Sequence, residues 1–178
     1  MKPSYLIRGF PGHPLHPPLT DVTIGAYTTA TLLGILAFAG VSEANLTKAW
    51  WLALLVGLGS TALTALTGLV DWLGITWRSP LWWTATWHML SMLTATAFFA
   101  LAAAFGHDRY VAGEMGGKTF ALTIVGYVVL AVGGWLGGTV VFVHGMRVLG
   151  LPDEPTGQAV TRARASRPDD EQGSAKPS

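Results

Sequence analysis

The sequence predicts an all-α, polytopic integral membrane protein: an antiparallel four-transmembrane-helix bundle with a disordered polar C-terminal tail. Two observations on composition and one on backbone chemistry lead there. The 178 residues are 51% hydrophobic and 12% charged, whereas a soluble domain carries about 25% charged residues. Residues 22–40, 49–70, 84–105 and 119–143 contain no Asp, Glu, Lys or Arg, and each run is close to the roughly 20 residues that a helix needs to cross about 30 Å of hydrocarbon. Backbone amides cannot be left unpaired in lipid, and the runs lack the alternation of a barrel strand, so helices are expected.

The elements follow in order. Residues 1–21 form a Pro/His-rich segment with no apolar core of the kind a cleavable signal peptide has. A proline after His13 and another after His16 steer both histidines toward extended or polyproline geometry. In that geometry the repeat is three residues, so the two rings point the same way, about 9 Å apart. Thr20 and Asp21 are expected to cap helix one and supply its first-turn acid. The transmembrane domain, 22–148, is expected to hold helices at about 22–40, 49–71, 84–105 and 119–146. His107, Asp108 and Arg109 fall in the loop after the third. Residues 149–178 are polar, mixed in charge and rich in Pro, Gly and Ser, which predicts a disordered tail.

Helices that alternate direction gather distant residues. Four crossings place His13, His16, His88 and His144 on one membrane face, with Asp21 and Asp71. That face also carries Lys2, Arg8, Arg78 and Arg147, against Lys48, Arg109 and Lys118 opposite, so both termini are expected in the cytoplasm. Trp50 and Trp51 mark the outer boundary and Trp72, Trp77, Trp82, Trp83 and Trp87 the inner one, as an aromatic belt.

At 100° per residue, Gly126, Gly133 and Gly137 share a face with His144. The stripe reads as close helix packing, or as a groove that would admit a flat macrocycle. Thr67, Thr64, Ser60 and Gly57 lie behind Asp71, and His88 shares a face with Ser91, Met92, Ala95 and Phe99. Ionisable groups in a bundle face inward and pair, so His88 facing Asp71 is one structural reading, and a helix-end histidine that satisfies terminal carbonyls is another.

The chain has no cysteine, which excludes disulfides, c-type haem attachment and an iron–sulfur cluster held by this chain. No basic stripe suggests nucleic acid, and no nucleophile–base pair suggests independent catalysis. The partners expected are the lipid bilayer and either a redox partner or further copies of the chain. The candidate cofactors are a b-type haem, with His88 and His144 as axial ligands, or a divalent transition metal held by His13, His16, Asp71, His88 and His144. Two other classes compete. One is a structural or accessory membrane protein whose polar cluster ties helix ends together. The other is a small proton- or ion-handling transporter with titrating histidines, which lacks charged groups deeper in the bundle.

The run GHPLHPPLTD with Ile24-Gly25, the GLVDW at 68–72, His88, and GGTVVFVHGMRV at 137–148 together resemble the bacterial membrane family of domains of unknown function 2231. The resemblance covers roughly residues 9–150, with the histidine–proline repeat as its most specific part. Some members of that family are fused to Rieske iron–sulfur domains. The resemblance therefore implies a multi-pass protein of the bacterial inner (plasma) membrane in an electron-transfer setting.

Overall fold

The computed structural model describes residues 5–10 and 13–165. A short turn α1 (Tyr5–Arg8) leads into β1 (Gly9–Phe10), which pairs antiparallel with β2 (His13–Pro14), Phe10 opposite His13. Four long helices follow: α2 (His16–Phe38), α3 (Glu43–Trp72), α4 (Pro80–Ala112) and α5 (Gly117–Gly138). A π-helical turn, Thr139–Val143, extends α5, and a last helix α6 covers Thr156–Ala165. Counting α5 with its π-turn, four helices are long and apolar enough to cross a membrane. This is an all-α polytopic membrane protein.

The helices outrun the charge-free stretches, because charge-free runs mark only the hydrocarbon crossing, while helical hydrogen bonding continues through the headgroup layer. Thus α4 reaches back to Pro80 and on to Ala112, and it holds His107 and Asp108 in helix rather than in a loop. Ser79 caps it, its hydroxyl accepting from the Trp82 amide at 3.1 Å. Gly113, with φ +73°, closes it by donating its amide to the Arg109 carbonyl at 2.8 Å.

The start of α2 departs from expectation. The helix begins at His16, six residues before the charge-free run, and its N-cap is Leu15. Pro17 and Pro18 fall in the first turn, where amides have no intrahelical acceptor, so proline costs nothing there. The extended geometry expected through His16 therefore stops at Pro14. Thr20 and Asp21 do not cap: the Thr20 hydroxyl donates back to the His16 carbonyl at 2.9 Å, and Asp21 is exposed. In the tail, residues 156–165 are helical instead of irregular, and Arg162 pairs with Glu154 at 2.7 Å. The rest of that tail, beyond residue 165, lies outside the described residues.

The bundle is two hairpins. α2 packs chiefly on α3 and α4 on α5, with α3 and α4 joining the pairs. Tyr27, Ala30, Trp50, Leu54, Phe99, Ala102 and Leu130 form the core, and the Tyr27 and Phe99 rings stack at 4.1 Å between hairpins. Buried threonines bring their own acceptors: Thr23, Thr31 and Thr123 each donate to the carbonyl four residues back. A hydroxyl satisfied this way can face a neighbouring helix in lipid without a stranded polar group. Trp50 leaves the outer belt altogether. It is fully buried, and its indole donates to the Thr123 hydroxyl at 3.2 Å, tying α3 to α5. Trp77, Trp83 and Trp87 are exposed at the other end, as belt residues should be, and Trp135 projects from the outer face of α5.

Candidate functional site

Four of the expected site residues meet at one end of the bundle, and each finds a partner that helix geometry dictates. His16 lies in the first turn of α2 and lays its ring over Gly68 of α3. A Cβ at Gly68 would sit 2.6 Å from the His16 Cε1, so any larger residue there would displace the ring. Nδ1 of His16 lies 3.0 Å from the Thr64 carbonyl oxygen and 3.3 Å from the Thr67 hydroxyl. His88, two turns into α4, does the same on α5: Nδ1 lies 2.8 Å from the Gly133 carbonyl, and a Cβ at Gly137 would stand 2.9 Å from Cε1.

A carbonyl only accepts, so each neutral ring carries its hydrogen on Nδ1 and leaves the lone pair on Nε2. Among the described residues, nothing hydrogen-bonds to either Nε2. Nor are these nitrogens sealed in the core, since Thr47 Oγ1 is the one fully buried side-chain polar atom without a partner among the described residues.

The other expected members are differently placed. His144 follows the π-turn, and its Nε2 meets the Thr84 hydroxyl at 3.1 Å, one turn from His88 along α4. Asp71 is buried near the end of α3 and forms an ion pair with Arg147, so the His88–Asp71 reading gives way to a carboxylate–guanidinium contact. His13 is exposed on β2, ahead of the bundle. Among the described residues, no three His, Asp or Glu side chains converge where they could hold a metal ion.

The glycine face of α5 is filled, not open. Gly126 receives Phe98 and Phe99, Gly133 receives Met92, and Gly137 receives His88. This is the packing reading of that stripe. The projection that set His144 on the same face assumed an uninterrupted α-helix, and the extra residue per turn between Thr139 and Val143 breaks the phase.

Sequence reasoning missed Arg147 and Thr84. Arg147 stands in left-handed backbone at φ +63°, two residues after Gly145 at φ +68°, so no helical period points to it. Its only signal was its place among the basic residues flanking the fourth crossing. Thr84 lies at i−4 from His88 on one helix face, a spacing that could have found it.

The model of a family described as predicted membrane protein, DUF2231, matches residues 12–150. That span is most of the chain, and the protein belongs to this family. No curated protein and no solved structure matches it.

Proposed function

We propose that this DUF2231 protein is an accessory subunit of the bacterial inner membrane, both termini cytoplasmic, whose histidine end binds a b-type haem or a divalent transition metal in an electron-transfer setting. One observation carries the reading: His16 and His88 each have Nδ1 held by a backbone carbonyl and Nε2 unengaged among the described residues. Ligating histidines have this arrangement, the backbone acceptor fixing tautomer and ring orientation and raising the basicity of the other nitrogen. For a metal ion the further candidate ligands are Asp71, His144 and, from the preceding strand, His13, which would have to move to converge on it. The test is the detergent-purified chain, expressed with haem precursor and transition metals supplied. A Soret band that shifts on reduction, or zinc, copper or iron by elemental analysis, supports the reading, and a blank in both overturns it.

A second reading rests on the glycine notches. Imidazoles seated on Gly68 and Gly137 and bonded to backbone also act as clamps between helices, and a structural accessory protein would need no more. Under that reading, His16→Ala and His88→Ala lower thermal stability equally in protein grown with and without haem precursor.

A further inference from the structure

The two hairpins share a set of contacts at constant sequence offsets. His16 and His88 are 72 residues apart, as are Tyr27 and Phe99. Their partners on the second helix of each hairpin keep another constant offset of 69 residues: Thr64 and Gly133, Gly68 and Gly137, Gly57 and Gly126. Thus His16 bonds Thr64 and rests on Gly68, while His88 bonds Gly133 and rests on Gly137. Tyr27 presses on Gly57 as Phe99 presses on Gly126. Arg78 and Arg147, also 69 apart, both adopt left-handed backbone, at φ +59° and +63°.

Each repeat crosses the membrane twice, so both run in the same sense and are related by an axis along the membrane normal. Equivalent residues that touch each other lie beside that axis. Tyr27 and Phe99 do so in mid-bundle. His16 and His88 precede them by eleven residues each, about 16 Å nearer the histidine end at 1.5 Å per residue, and eleven residues is close to three helical turns, so each lies on the same helix face as the ring that meets its partner.

We infer that His16 and His88 are the two axial ligands of one b-type haem per chain, held beside this local two-fold axis. The inference rests on the cofactor-binding reading above and narrows it. Two equivalent imidazoles are too few to enclose a zinc ion, which takes three or four protein donors. A porphyrin supplies four nitrogens in its own plane and leaves two opposite positions, so two like ligands related by a two-fold complete the iron's set. His144 is excluded from the pair because its Nε2 is engaged by Thr84.

The chain has five histidines, and His107 lies 19 residues beyond His88 on α4, about 29 Å away at the opposite membrane face. The double variant His13→Ala/His144→Ala therefore leaves only His16 and His88 at the site, and it touches neither clamp. In full-length protein loaded with haem, wild type and double variant are both expected to show one low-spin, bis-imidazole haem by optical and electron paramagnetic resonance spectra. His16→Gly and His88→Gly are each expected to lose that signature and to regain it with added imidazole. Loss of the low-spin signature in the double variant, or its survival in either glycine variant without imidazole, overturns the axial pair and leaves the haem reading standing. Zinc or copper without haem overturns the pair while sparing a metal site. A chain that holds neither haem nor metal overturns both.

Discussion

The first hairpin, α2–α3, and the second, α4–α5, share a backbone plan yet differ in what they bury. In the first, the Thr23 hydroxyl meets those of Thr64 at 2.9 Å and Ser60 at 3.1 Å, and Tyr27 bonds Thr61 at 2.8 Å. The equivalent positions of the second are Ala95, Gly133, Val129, Phe99 and Leu130, which can make none of these bonds. Asp71 in the first corresponds to Val140 in the second, and Ile75 to His144. What survives in both is the seating of a ring on a glycine and the imidazole–carbonyl bond. In lipid there is no hydrophobic drive between helices, so close approach and a few satisfied polar contacts set their geometry. The repeated contacts are of that kind, and the hydroxyl content is free to diverge around them.

The most disruptive test of this comparison is the charge that only one hairpin owns. Asp71→Ala takes the buried carboxylate away from the partly buried Arg147 guanidinium and is expected to cost about 3 kcal/mol of stability in detergent. Val140→Ala, at the equivalent position, is expected to cost about 1 kcal/mol. Thermal melts of the two variants side by side decide it, and equal losses would mean that the ion pair does not join the hairpins.

Next come the ring-bearing glycines of the mid-bundle. A Cβ at Gly57 would meet Tyr27 Cε1 at 2.5 Å, whereas one at Gly126 would meet Phe99 Cε1 at 3.2 Å. Gly57→Ala is therefore expected to cost about 1–3 kcal/mol through overpacking, and Gly126→Ala distinctly less. The reverse order in denaturation would show that the tighter contact relaxes freely. At the histidine end the clearances match more closely, so Gly68→Ala and Gly137→Ala should each lose about 1–2 kcal/mol, and a large inequality would argue against equivalent imidazole seats. The mildest change converts one hairpin toward the other. Thr23→Ala installs the residue found at position 95 and should cost about 0.6 kcal/mol, the mean for a membrane interhelical hydrogen bond. A loss several times larger would mark the hydroxyl cluster as essential to the first hairpin.

Much of the fold was legible. The charge-free runs located all four crossings, and the inward faces of Asp71, Thr67 and Thr64, and of His88, Ala95 and Phe99, followed from helical period. The even number of crossings brought His16, Asp71, His88 and His144 to one end, as expected. The pairings within that end were less readable. His16 belonged to a segment expected to be extended, so its grip on Thr64 and Gly68 was invisible. Asp71 turned from His88 to Arg147 because a π-turn and left-handed residues at 145 and 147 redirect the chain after α5.

Composition alone determined that the chain crosses a bilayer four times and which polar groups share a face, because the free energy of moving a side chain into lipid is nearly local and sums along the run. The partner of each polar group was decided only by tertiary structure. Partnering depends on how far one helix is slid and rotated against the next, and here those offsets are set by rings settling onto Gly57, Gly68, Gly126 and Gly137 across the interfaces.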